Sequence, residues 1–144
     1  MILFPRSNLM KTLLTVKSAV EVMAGLALAV CPSMLVSLLL GSPLKEPVGI
    51  VICRIAGTAL LTMGIACWLA RNDSQSRAAT GLIVALLAYD VAVVVILISA
   101  RFVVQLSGIG LWPGVVLHAG LGLWSLLWLT GNAFVPVNSS KLSH

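Results

Sequence analysis

The chain has 144 residues, of which 60% are hydrophobic and 9% are charged, and its mean hydropathy is +1.11. Soluble domains carry about 25% charged residues, so this composition excludes a soluble globular protein and indicates one that lies in lipid. The net charge of +5 is distributed along the chain without a basic run. This distribution argues against nucleic-acid binding and for contact with anionic lipid headgroups.

Four apolar segments follow one another along the chain, at about 18–40, 48–70, 78–100 and 111–130. Each is long enough to cross a bilayer, which takes about 20 residues in a helix. The breaks between them, "GSPLKEP", "RNDSQSR" and "RFVVQLSGIG", contain turn-forming residues. Because backbone groups in lipid must pair within their own segment, the sequence predicts an all-α fold. We expect one transmembrane domain over residues 1–144, an integral membrane four-helix bundle.

The first apolar segment is longer than one crossing and contains Pro32. One interpretation starts the span at Ala19 and leaves "MKTLLTVK" as an amphipathic stretch at the membrane surface. The other makes the whole segment a tilted helix with a kink at Pro32. We prefer the first, because it would put Lys11 and Lys17 near the headgroups. A cleaved signal peptide is disfavoured, since the apolar run is too long and no cleavage motif ends it.

Lysine and arginine residues predict the orientation, because they concentrate on the cytoplasmic side of membrane proteins. One predicted side holds Arg6, Lys11, Lys17, Arg71, Arg77 and Lys141, whereas the other holds Lys45 and Arg101. The sequence therefore predicts that the N- and C-termini are both cytoplasmic.

Each predicted span contains one ionisable residue, and these four are Glu21, Arg54, Asp90 and His118. With a rise of 1.5 Å per residue, Arg54 and His118 lie about 10 Å below the outer surface and Asp90 about 15 Å below it. Glu21 falls near the inner surface, where we expect it to pair with Lys17, four residues earlier on the same helix face. The depths predict a charge-assisted pair between Arg54 and Asp90, with His118 bonded to either one.

Three roles are open for the polar cluster of Arg54, Asp90 and His118. A buried ion pair can hold two helices in register with little net energy, and this structural role is the preferred one. The cluster can also form a pocket for a ligand, a headgroup or a partner helix. A proton relay is the third role, but a relay normally needs titratable groups that continue to both surfaces, and Asp90 and His118 leave the inner half of the membrane without such a path.

Cysteine and histidine residues do not form a pattern typical of a metal or haem site. Cys31, Cys53 and Cys67 are widely spaced within apolar segments, and His118 is the only histidine within a span. No nucleophile motif, phosphate loop or carboxylate pair is present. We therefore expect no enzyme activity, no cofactor and no metal.

Small residues recur at helical spacing in the first two spans. Gly25 and Ala29 are four residues apart, and Gly57 and Gly64 are seven residues apart on one face. Such residues allow helices in lipid to approach closely, so the sequence predicts tight helix packing.

The segments "GLALAVCPSMLVSLLLG", "CRIAGTALLTMGIACWLAR", "GLIVALLAYDVAVVVIL" and "LWPGVVLHAGLGLW" resemble a group of small bacterial proteins with four transmembrane helices. The R-x-x-G step from Arg54 to Gly57 also resembles the DoxX-like proteins. The resemblance implies a multi-pass protein of the bacterial inner membrane with an accessory role in a respiratory or thiol redox complex.

Two functions follow as expectations. The first is a non-enzymatic accessory or scaffold subunit of a larger membrane complex, with membrane lipids and other integral membrane subunits, or a second copy of itself, as partners. The alternative is a small transporter or a lipid- or quinone-binding protein that uses a polar pocket at Arg54, Asp90 and His118.

Overall fold

The computed structural model describes residues 6–73 and 76–133, and this part of the chain forms five α-helices and no strand. They are α1 (Arg6–Val30), α2 (Pro32–Leu40), α3 (Pro47–Ala70), α4 (Arg77–Phe102) and α5 (Leu111–Ala133). The helices α1, α3, α4 and α5 are each long and apolar enough to cross a membrane. The predicted all-helical architecture with four candidate spans is therefore confirmed within these residues, and it is that of a multi-pass membrane protein.

The first span lies earlier in the chain than we expected. Helix α1 begins at Arg6 and has 25 residues, a length of about 37 Å that suffices for a crossing. It ends where Cys31 leaves helical geometry (φ −125°, ψ 58°) and Pro32 starts the nine-residue α2. Proline has no N–H to continue the hydrogen-bond ladder, so the helix breaks there. This corrects the preferred interpretation, in which the span covered residues 18–40 and Lys17 lay at the surface.

Helix α1 packs most extensively against α3, through the small residues of both helices. A Cβ atom added to Gly57 would lie 2.6 Å from the backbone nitrogen of Ala29, and one added to Gly25 would lie 2.7 Å from the carbonyl oxygen of Gly57. Two helical turns further along the same interface, the hydroxyl of Ser18 donates a 2.8 Å hydrogen bond to the carbonyl of Gly64. The predicted role of the glycines in close packing is confirmed for this pair of helices.

The loop between α4 and α5 is attached to the end of α2. Three of its N–H groups donate to consecutive carbonyls of α2: Ser107 to Leu40 at 3.0 Å, Gly108 to Leu39 at 3.2 Å and Gly110 to Leu38 at 2.8 Å. The last carbonyls of a helix lack partners within it, so these bonds satisfy groups that the membrane would otherwise leave unpaired. The loop passes so close to α2 that a Cβ atom at Gly108 would lie 2.2 Å from a carbonyl oxygen.

Two apolar clusters lie at opposite ends of the bundle. The larger cluster joins Met10, Leu13 and Leu14 of α1 to residues of α3 and α4, and tryptophans of α5 pack against it. The smaller cluster joins Leu97 of α4 to the start of α5 and to the end of α2. The stretch of α1, α4 and α5 between the two clusters contains the buried ionisable residues.

A candidate membrane-buried polar site

Four ionisable side chains come together between the two apolar clusters. Lys17 and Glu21 come from α1, Asp90 from α4 and His118 from α5. Lys17 is 0% exposed, Glu21 and Asp90 are 1% exposed, and the His118 side chain is 14% exposed. Lys17 and Glu21 are four residues apart, so both side chains leave the same face of α1.

Asp90 is the centre of this cluster because both of its carboxylate oxygens are occupied. Its Oδ2 accepts a hydrogen bond from the Lys17 ammonium group in a buried ion pair. Its Oδ1 lies 2.9 Å from Nδ1 of His118. One carboxylate therefore links α4 to both α1 and α5. A carboxylate without partners would be costly to bury in lipid, and here each of its two oxygens has a partner.

The cluster lies deep in the membrane-spanning part of the bundle. Asp90 is the fourteenth of the 26 residues of α4, which puts it about 18 Å along the helix from either end. A hydrocarbon core is about 30 Å thick, so Asp90 lies near its middle. Ionisable residues at such depth are rare and mark a functional site by default.

Arg54 does not belong to this cluster, which corrects the predicted Arg54–Asp90 pair. Arg54 is exposed on α3, and the ion pair of Asp90 is with Lys17. Counting residues along each helix gave similar heights for Arg54 and Asp90, but it gave no information on which helices are neighbours. Helix α3 packs mainly against α1, so Arg54 has no route to a carboxylate on α4.

Lys17 and Glu21 lie deeper than their sequence pattern predicts. A span that starts at Ala19 would put Lys17 among the headgroups and Glu21 near the inner surface. Since α1 begins at Arg6, these residues are the twelfth and sixteenth of its 25, close to the middle. The i, i+4 spacing was the available signal, and taking Pro32 as the end of the helix would have found their depth.

His118 is held by contacts on two sides. The ring of Tyr89 lies edge-on to the His118 ring, with centroids 5.7 Å apart and planes at 80°. An ionised Asp90 can only accept, so the hydrogen bond from Nδ1 requires the proton to be on Nδ1. The second ring nitrogen, Nε2, is then available to another partner as an acceptor when the ring is neutral and as a donor when it is protonated.

A groove of about 240 Å³ opens between α4 and α5 beside this histidine. Asp90 and His118 are its polar lining residues, and its other walls are aliphatic side chains such as Val91, Val95 and Leu123. These three are more than half exposed, so the groove opens sideways toward the lipid. Gly122 lines it opposite Asp90 and leaves the space that a side chain would fill.

Glu21 differs from the other members of the cluster in its hydrogen bonding. Its Oε1 atom is buried and has no hydrogen-bond partner in the part of the chain that the structure describes. Lys17, its neighbour on the same face, donates to Asp90 instead. A buried polar atom without a partner is uncommon and calls for a physical explanation.

No family model, curated protein or solved structure matches this chain. The resemblance to DoxX-like proteins accordingly stays a prediction. Within residues 6–73 and 76–133, no group of three or more histidine, cysteine, aspartate or glutamate side chains is arranged to hold a metal ion.

Proposed function

We propose that this protein is a membrane-embedded binding protein for a lipid-soluble molecule with a neutral, hydrogen-bonding head, of which a quinone is the best-fitting class. The observation that supports the proposal is the groove between α4 and α5, which joins aliphatic walls to His118 and Asp90 at one place. Ligand sites are typically mostly apolar with a few polar groups that fix orientation. Without Arg54, the polar end of the pocket consists of His118 held by Asp90.

Depth favours a neutral head over a phospholipid headgroup. Asp90 is about 18 Å from either end of α4, whereas the phosphate of a phospholipid stays at the membrane surface. A quinone ring carries no charge and enters the hydrocarbon readily. Its carbonyl oxygen can accept a hydrogen bond from His118, and its hydroxyl after reduction can donate one.

The size of the groove fits a ring rather than a whole lipid. Its volume of about 240 Å³ is slightly below the range of about 300–1,000 Å³ that encloses a complete drug-sized ligand. The apolar tail of the ligand would lie along the exposed valines and leucines of α4 and α5, in contact with lipid. A laterally open groove lets such a ligand enter directly from the bilayer.

The proposal includes the bacterial inner membrane as the location, with both termini in the cytoplasm. Lys17 no longer counts toward the orientation because it is buried. The remaining residues still favour the same side, with Arg6, Lys11, Arg71, Arg77 and Lys141 opposite Lys45 and Arg101.

The test is binding of decylubiquinone to the detergent-purified protein, and binding is measured by the quenching of tryptophan fluorescence. His118→Ala should weaken binding about tenfold, which corresponds to one lost hydrogen bond. Val95→Trp should block the groove, whereas Val51→Trp on α3 is the matched control, because the two valines are 56% and 55% exposed. Equal binding by both tryptophan variants would refute the assignment of the groove as the site.

An accessory subunit of a larger membrane complex, including the redox role that the DoxX-like resemblance implies, is the second candidate function. It is supported by Gly81 of α4 and Gly120 of α5, which are exposed with open space beyond their α-carbons, so that another transmembrane helix can approach closely. The test is stoichiometric co-purification of a larger complex in mild detergent. Loss of the complex in Gly120→Leu, together with its retention in Val95→Trp, would favour this function over ligand binding.

A further inference from the structure

Glu21 lies within electrostatic range of every other charged member of the buried cluster. These neighbours are Lys17 on its own helix, Asp90 from α4 and His118 from α5. Two further titratable groups, Cys67 of α3 and Tyr89 of α4, also lie within electrostatic range of Glu21. The only fixed positive charge among them is that of Lys17, and it forms an ion pair with Asp90.

As long as Lys17 and Asp90 are both charged, as in their ion pair, the cluster is neutral overall in two ways. With Lys17 and Asp90 neutralising each other, an ionised Glu21 beside a neutral His118 would leave one unpaired negative charge in a site that is 1% exposed. Burying an isolated carboxylate costs far more free energy than transferring a proton to it. The neutral alternatives are a protonated Glu21 with a neutral His118, or an ionised Glu21 with a protonated His118.

We propose that Glu21 and His118 hold one proton between them, and that the occupant of the groove decides which of them carries it. This inference rests on the proposed function, since it requires a ligand beside His118. Without a ligand the proton is on Glu21, because the hydrogen bond of the His118 ring within the described residues is that of Nδ1 to Asp90. A ligand carbonyl at Nε2 favours the transfer, in which Glu21 loses the proton, Nε2 gains it and the total charge is unchanged.

The shared proton makes the site suitable for both forms of a quinone. A protonated His118 donates to the carbonyl of the oxidised ring, whereas a neutral His118 accepts from the hydroxyl of the reduced ring. Oε1 of Glu21 has no hydrogen-bond partner among the described residues, and a shared proton explains this, because a protonated carboxyl group carries no charge and its carbonyl oxygen tolerates burial better than a carboxylate. Glu21 would therefore set the preference for the ligand without contacting it.

Infrared spectroscopy tests the resting state of Glu21. The purified protein without added quinone should show the C=O stretch of a buried protonated carboxyl group, and Glu21→Gln should remove it. Glu46→Gln is the control, since Glu46 is exposed before α3, and it should leave the band unchanged. A band that persists in Glu21→Gln, or no band in the wild-type protein, would overturn the proposal even if quinone binding is observed.

Binding of two probes tests the coupling. Glu21→Gln removes the carboxylate that would balance the positive charge of a protonated His118, so decylubiquinone should bind about tenfold more weakly. Decylubiquinol, tested under anaerobic conditions, should bind to this variant as it does to the wild type. Equal weakening of both probes would refute the shared proton while leaving the groove as the site. If the wild type binds neither probe, the proposed function fails and the coupling fails with it, whatever the infrared band shows.

Discussion

Asp90→Asn should destabilise the protein more than Lys17→Met does. Asparagine has nearly the shape of aspartate, so packing is preserved while the negative charge is removed. The Lys17 ammonium group, 0% exposed, then loses the carboxylate to which it is hydrogen-bonded, and removing one partner of a buried ion pair costs about 3–5 kcal/mol.

Lys17→Met removes the other partner with a different outcome. Asp90 keeps its 2.9 Å hydrogen bond with His118, so one of its two partners remains. The loss should therefore approach that of a single hydrogen bond to a charged group, about 1.5–3 kcal/mol. The double variant with Met at 17 and Asn at 90 has no unpaired charge and should be more stable than Asp90→Asn alone.

The assay is reversible unfolding by sodium dodecyl sulfate in mixed micelles, and the fluorescence of the four tryptophans reports the extent of unfolding. Arg54→Met is the control, because Arg54 is exposed on α3, and its effect should stay within about 0.5 kcal/mol. It should also add independently to Asp90→Asn. Additive losses for positions 17 and 90, or non-additive losses for positions 54 and 90, would refute the assignment of Lys17 as the partner.

Three further predictions concern packing, with the wild type as reference. The first two are measured by the same unfolding assay and the third by amide hydrogen exchange. Gly57→Ala should lower the free energy of unfolding by about 1–3 kcal/mol, because a Cβ atom there would lie 2.6 Å from the backbone of α1. Gly120→Ala is the control and should be neutral or stabilising, because nothing lies within 4 Å of a Cβ atom there. Equal effects of the two substitutions would contradict the close packing of α1 and α3. Ser18→Ala should cost about 1 kcal/mol through its lost 2.8 Å hydrogen bond to α3, and no loss would mean that the bond contributes nothing net. Gly108→Ala should detach its loop from α2, seen as faster amide hydrogen exchange in that loop, since the new Cβ atom would lie 2.2 Å from a carbonyl oxygen of α2; unchanged exchange would contradict that contact.

The number of candidate spans and the character of the loops could be predicted because they depend on local properties. Hydropathy over about 20 residues, together with proline and glycine positions, suffices to find a helix that can cross a membrane. The role of Gly25 and Gly57 was predictable for the same reason, since small residues at helical spacing indicate close approach. The helix against which each glycine-containing face packs could not be predicted in this way.

The start of the first span was harder to predict because of Lys17. A lysine within an apolar segment is expected to reach the headgroups, so the sequence pattern put it at the end of the span. Its actual place depends on Asp90, which is 73 residues further along the chain. Once that carboxylate is available, the ammonium group can lie in the middle of α1 and the helix can begin at Arg6.

The sequence by itself determined that four segments form apolar helices and that a few charged residues must be buried within them. Which charges pair is decided by the tertiary structure, because pairing requires two helices to be neighbours and two side chains to face each other. Height along a helix is countable from the sequence, but rotation about the helix axis and the choice of neighbour result from packing. Close packing of α3 against α1 left Arg54 exposed and left Lys17 and His118 to bind Asp90.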